Sequence, residues 1–175
     1  MGGSNGTGLG RGRENRAGGK AVVSGNNGVI ARHGKELAAL AEEKGAALRF
    51  EAAVAGGIPI IKALAEGLAA NEVSGLYGIL NGTCNYILTR MEREGLAFGD
   101  VLADAQRIGY AEADPTFDID GIDTAHKTAI LASIAFGMIP DIEGLPTEGI
   151  RNLAPIDIEF AEELGYRIKL LGVAR

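Results

Sequence analysis

The chain opens its patterned part with Ala21-Val22-Val23, a short apolar run that predicts a buried strand. Ser24-Gly25-Asn26-Asn27-Gly28 follows and predicts a turn. Leu37, Leu40 and Ala41 then recur at helical spacing, with Lys35, Glu42, Glu43 and Lys44 on the other side, and Gly45 ends that helix. Residues 47–54, ALRFEAAV, read as a second strand. The order strand, helix, strand predicts a parallel α/β unit.

Further on, Pro59 suits the first turn of a helix carrying Ile60, Ile61, Leu64 and Leu68. Residues 73–80 are a strand candidate. Asn81-Gly82-Thr83 breaks it and starts a helix with Tyr86, Ile87 and Met91 inward. Residues 98–108 are amphipathic, with Val101, Leu102, Ala105 and Ile108 on one face. A long helix is expected over about 121–136, with Ala125, Ala129, Ile130, Ile134 and Ala135 as its apolar set, and a shorter one over 152–164 around Pro155. Residues 166–173 alternate and then run apolar, as a sheet strand does. The fold class expected is α/β, of the α+β kind from residue 47 on: a mixed sheet packed with helices.

Composition changes this picture little. With 175 residues the chain is one domain, or one and a fragment. A hydrophobic share of 46% and a charged share of 23% are those of an ordinary soluble protein. The net charge of −6 argues against a nucleic-acid partner. One cysteine, Cys84, makes no internal disulfide, so the fold does not depend on an oxidising compartment. No apolar run reaches the ~18 residues of a membrane span, and the N-terminal residues lack a secretory apolar core. A cytoplasmic location is the expectation. Glycine is the anomaly: 27 residues, eight of them in the first 19. Residues 1–19 read as a disordered Gly-rich segment. They do not carry the dinucleotide fingerprint G-x-G-x-x-G, because Arg11 and Arg13 stand where a third glycine belongs.

Chemistry concentrates between Glu112 and Lys127, where Glu112, Asp114, Asp118, Asp120 and Asp123 precede the lysine. Asp123 and Lys127 are four apart and share a helix face. That face is interleaved with Ala125, Ala129 and Ile130, which points to a partly buried lysine. Burial pushes a lysine towards neutrality and carboxylates push it back, so such a group can exchange protons near neutral pH. The plainer alternatives are a solvated acidic loop, an i,i+4 salt bridge of about 0.3–0.5 kcal/mol, and a helix cap at Asp118 or Asp120.

The segment AQRIGYAEADPTFDIDGIDTAHK, residues 105–127, resembles the signature of homoserine dehydrogenase. FEAAVAGGIPII at 50–61 and GILNGTCNYI at 78–87 extend the likeness, which covers about residues 21–175. The resemblance implies an NAD(P)-dependent oxidoreductase that interconverts L-homoserine and L-aspartate 4-semialdehyde in threonine, methionine and isoleucine biosynthesis. It implies a homodimer, with a small amino acid as substrate. By position, Lys127 matches the group that gives and takes the proton at the substrate oxygen. Glu112 and Asp123 match residues that hold the amino acid, and their charge independently suits an ammonium group. Asp118 matches a carboxylate beside them. Gly109 matches a backbone contact to the cofactor. Glu51, Val54, Gly56 and Ile58 match a monovalent cation site, sodium in the family; carbonyls in a Gly-rich bend with one carboxylate suit a hard cation. Taken alone, Gly56-Gly57 reads as a strand-to-helix turn.

Two departures stand beside the likeness. The family begins with a Rossmann domain, of which only a remnant over residues 20–46 is expected, before a catalytic and dimerisation domain over 47–175 that is incomplete at its C-terminal end. In the remnant's turn, Asn27 stands where a lysine near cofactor and substrate is expected. An uncharged amide neither replaces a cation nor shuttles a proton. These 175 residues by themselves are therefore expected to be a weak or inactive dehydrogenase. Two alternatives follow from the same residues: a non-catalytic dimerisation or regulatory module derived from that enzyme, and a cofactor-free lyase or isomerase using Lys127 and Glu112.

Overall fold

The computed structural model describes residue 10 and residues 21–175. The Gly-rich stretch expected to be disordered thus lies, apart from residue 10, outside the described residues. The described residues divide into two compact units: those up to 76, with 126–145 and 174–175, in the first, and 77–125 with 146–173 in the second.

In the first unit, β1 (Val22–Val23) and β2 (Leu48–Arg49) pair in parallel, Val22 opposite Leu48 and Val23 opposite Arg49. They are joined by α1 (Asn27–Glu43). The predicted strand, helix, strand order is therefore present. Asn26 starts α1 by accepting the Val29 N–H at 3.0 Å on its side-chain oxygen, satisfying one of the donors a helix leaves open. Val29, Ile30, Leu37 and Ala41 form its buried stripe, and Gly45 closes it in the left-handed region at φ +60°.

The second strand is shorter than the eight residues expected. It stops at Arg49, and Glu51–Ala53 form a 3-10 turn. Two observations account for this. Ala52 and Ala53 have little strand preference. The two oxygens of the Glu51 carboxylate accept the N–H groups of Ile61 and Lys62, each at 3.0 Å, which bends the chain back on itself. The helix expected after Pro59 is likewise brief: α2 (Ile60–Lys62) runs into one wide turn at Ala63–Gly67. Ile61 is buried while Leu68 is exposed, so little apolar surface is available to extend it.

The second unit is helical. It contains α3 (Gly82–Glu94), α4 (Phe98–Arg107), α5 (Thr116–Ile119), the first turn of α6 (Ile122–Phe136) and α7 (Pro155–Glu163). Cys84, Ile87, Leu88 and Met91 from α3 pack with Val101 and Ala105 from α4, and with Ile119, Ile150 and Ile158. Tyr86 stacks on Tyr110 with ring centroids 4.6 Å apart. Ile108, expected inward, is exposed because α4 ends at Arg107 and Gly109, at φ +80°, turns the chain away.

Strand β3 (Leu76–Gly78) lies beside β4 (Gly172–Ala174) in a second two-stranded sheet. Both are pared down from the expected runs, because a strand persists only where a neighbour completes its hydrogen bonds. Upstream of β4, Lys169 and Arg167 instead reach Glu92 on α3, at 3.4 and 3.0 Å. The α/β expectation holds, with the sheets reduced to two strands each among the described residues. None of the helices there is long and apolar enough to cross a membrane.

Candidate active site

The acidic window separates into distinct roles once it is folded. Asp114 accepts the Thr116 N–H at 3.2 Å, just ahead of α5. Hydrogen bonds from the Thr116 hydroxyl and backbone hold its carboxyl below the usual aspartate range. Asp120 accepts from Nε and a terminal nitrogen of Arg151, at 2.9 and 3.1 Å, a two-point pair on the surface. Those two carboxylates serve the fold.

Asp118 and Asp123 do something else. Asp118 sits on α5 and Asp123 in the first turn of α6, where it is buried. The side-chain nitrogen of Asn81 donates to Oδ1 of Asp118 and to Oδ2 of Asp123, each at 2.8 Å. The Asn81 oxygen accepts the Cys84 N–H at 2.8 Å and so caps α3. One buried amide thereby gathers two carboxylates from two helices. The corner between those helices is tight. Gly121 turns at φ +82°, and Gly149 lies so close that a Cβ there would be 2.2 Å from the Ile119 carbonyl oxygen.

Cys84 is fully buried and donates its thiol proton to the Asp118 carbonyl oxygen at 3.2 Å. Burial first, then the charges of Asp118 and Asp123, push its pKa up to about 12. At neutral pH it is a thiol and no nucleophile.

The other predicted residues are placed as follows. Lys127 lies on α6 one turn beyond Asp123 and is half-buried. Glu112 is exposed, in the loop after α4, and its backbone carbonyl accepts from the Gln106 side chain at 3.0 Å. Gly109 is exposed at the end of α4. Asn27 is the first residue of α1.

Around Val54–Ile58 the chain makes a tight bend, with Ala55 at φ +49° and Gly57 at φ +87°. The Ile58 carbonyl accepts the Ile60 N–H at 2.8 Å. Both Glu51 oxygens cap α2, yet each carboxylate oxygen retains a lone pair. The groups that Glu51, Val54, Gly56 and Ile58 offer there are all oxygens, the donor chemistry that hard cations take. Among the described residues no cluster of His, Cys, Asp and Glu side chains could hold a metal. A cavity of about 630 Å³ in the first unit is lined by Ile30, Ala38, Phe50, Ile130 and Met138, and by none of the predicted site residues.

Asn81 is the functional candidate that sequence reasoning missed. Its position before a helix signals a cap. Nothing local signals its partners, which stand 37 and 42 residues away.

A family model for homoserine dehydrogenase matches residues 59–174. The chain belongs to the homoserine dehydrogenase family. It is 59% identical to the homoserine dehydrogenase of Pseudomonas aeruginosa over 157 residues, covering 90% of this chain and 36% of that protein. It is 55% identical to the enzyme of Neisseria gonorrhoeae, over 90% of this chain and 36% of that one. Among solved structures, the homoserine dehydrogenase from Thiobacillus denitrificans is 60% identical and superposes with a TM-score of 0.90, covering 91% of this chain and 37% of its own. A hyperthermophilic archaeal homoserine dehydrogenase in complex with NADPH superposes with a TM-score of 0.71 at 37% identity, covering 76% of this chain and 41% of its own. The chain thus spans 36% of the length of these two curated relatives. Its α/β fold and its membership of an oxidoreductase family agree with the expectation drawn from residues 105–127.

Proposed function

We propose that this protein interconverts L-homoserine and L-aspartate 4-semialdehyde, in the biosynthesis of threonine, methionine and isoleucine. The observation that carries the reading is the gathering of Asp118 and Asp123 by one buried amide, with Lys127 one turn further along α6. Two adjacent carboxylates attract a cation, and the substrate's ammonium group is one. In this reading Asp123 and Glu112 hold the amino acid and Asp118 lies beside them. Lys127 gives and takes the proton at the substrate's terminal oxygen.

NAD(P), when bound, supplies the hydride acceptor or donor; the NADPH held by the archaeal relative supports that choice. Gly109 and Asn27 are the residues of this chain assigned to it, the first through its backbone and the second through its amide. Glu51, Val54, Gly56 and Ile58 are assigned a monovalent cation, sodium. A homodimer in the cytoplasm completes the proposal. Tyr77, Ile79, Phe160, Leu171 and Val173 of the second unit are all exposed, apolar surface of the kind a partner copy covers.

The test is reduction of NAD(P)+ with L-homoserine as the varied substrate, in the intact enzyme. Lys127→Ala is expected to lower kcat by about 10²–10⁴-fold, the usual scale of a positioned acid–base group, with the homoserine KM little changed. A variant as fast as the parent would refute the role. Asn27, where the resemblance places a lysine, favours a second reading, a non-catalytic module. Accordingly, the 175-residue polypeptide alone is expected to turn over weakly or not at all. Failure of an intact enzyme to oxidise homoserine, with folding and dimerisation preserved, would favour the module.

A further inference from the structure

Asn81 does more than begin a helix. A primary amide offers two N–H donors and a carbonyl acceptor. Here each has an assigned partner. The oxygen accepts the Cys84 N–H, and the nitrogen faces Oδ1 of Asp118 and Oδ2 of Asp123, all at 2.8 Å. The orientation is decided by the partners: turned over, the amide would set donors against the Cys84 N–H and its oxygen against two carboxylates. Asn81 is buried, at 4% exposure, so water does not substitute for those bonds.

Two carboxylates directed at one nitrogen repel each other. They stand on separate helices, α5 ending at Ile119 and α6 starting at Ile122 with a left-handed glycine between. A neutral donor between them offsets the repulsion without adding a charge of its own. A lysine there would add a positive charge, and a leucine would offer neither donor.

We propose that Asn81 is a positioning residue: it holds the carboxylates of Asp118 and Asp123 together so that the pair recognises the ammonium group of the amino-acid substrate. This rests on the dehydrogenase reading given above and adds to it a determinant of specificity. A substrate that lacks the ammonium group should gain little from Asn81, since the pair then has no cation to receive.

The experiment compares L-homoserine with 4-hydroxybutanoate, which is homoserine without its amino group, in the intact enzyme and in two variants. Asn81→Ser keeps a good helix cap but is too short to span the carboxylates. Asn81→Asp keeps the cap and the size, loses both donors, and adds negative charge. In both, the preference for homoserine, measured as the ratio of the two kcat/KM values, is expected to fall at least tenfold while the KM for NAD(P) stays within twofold. A general loosening of the fold would lower both substrates alike and leave the ratio unchanged.

An unchanged ratio in either folded variant overturns the proposal and leaves Asn81 a cap. Improved homoserine selectivity in Asn81→Asp also overturns it, since net charge rather than placement would then govern recognition. Loss of folding in both variants assigns Asn81 a structural role only, with the same consequence. If the parent enzyme itself oxidises no homoserine, the dehydrogenase reading fails and takes this inference with it, an outcome visible before any variant is made.

Discussion

The Cys84 thiol donates to the backbone carbonyl of Asp118 at 3.2 Å, tying α3 to α5. Folding holds this proton more tightly than an unfolded chain does, because the native pKa is raised from 9.0 to about 12. The stability this contributes is whole below about pH 9 and declines as the pH rises towards about 12. Denaturant midpoints measured across that range should fall for the parent and stay flatter for Cys84→Ala. At pH 7–8 the native protein should resist alkylation that the unfolded chain undergoes. Rapid labelling of folded protein at neutral pH would contradict the buried, protonated thiol.

Arg90 links α3 to α4. It donates to Glu94, to Asp104 at 3.0 Å and to the Tyr86 hydroxyl at 3.3 Å. Its hydrogen bonds hold the carboxyls of Glu94 and Asp104 below their usual range and raise its own pKa. Carboxyls with lowered pKa values stabilise the fold above their unfolded values and lose that contribution as the pH falls through the native ones. Arg90→Leu should therefore be less stable than the parent at pH 7, and the gap should close in acid below the ordinary carboxylate range. Urea unfolding at pH 7 and pH 3 measures it; an equal gap at both would disprove the linkage.

Gly149 is set against the corner that carries the site. A Cβ there meets the Ile119 carbonyl oxygen at 2.2 Å and the Asp120 Cα at 2.5 Å, both backbone. Since no flexible side chain can yield, Gly149→Ala should cost roughly 1–3 kcal/mol of stability. It should also shift α5 and weaken turnover of homoserine. Calorimetry and steady-state kinetics on the same preparation test both; an alanine variant with parental stability would mean the segment moves freely away from Ile119.

Glu51 distinguishes a cation site from a simple cap. Its carboxylate accepts the Ile61 and Lys62 N–H groups, so Glu51→Ala should destabilise by about 1 kcal/mol whatever salt is present. If the carbonyls of Val54, Gly56 and Ile58 also bind sodium, NaCl should raise the melting temperature of the parent above that in tetramethylammonium chloride at equal ionic strength. The difference should vanish in Glu51→Ala. Identical melting in both salts would leave the bend a turn.

Much of the helical framework is legible in the sequence because its causes are local. The stripe of Leu37 and Ala41, the cap at Asn81, the amphipathic run through Val101 and Ala105, and Pro155 at the start of α7 each act within a few residues. The same locality makes the i,i+4 placement of Asp123 and Lys127 readable. The family's motif at residues 105–127 then points to the chemistry.

Strand length is not local, and there the sequence pattern overreached. Residues 47–54 and 166–173 read as strands along the chain, but pairing is decided by which backbone lies alongside. Only Leu48–Arg49 and Gly172–Ala174 find partners. The division of the acidic residues is likewise a tertiary matter. Asp114 and Asp120 look equivalent to Asp118 and Asp123 along the chain. Thr116 and Arg151 draw the first two into the scaffold, and Asn81, drawn from another helix, collects the other two. A side-chain amide can hold carboxylates distant in sequence only after the helices are packed, so the sequence determined which residues carry charge and the tertiary structure decided which charges act together.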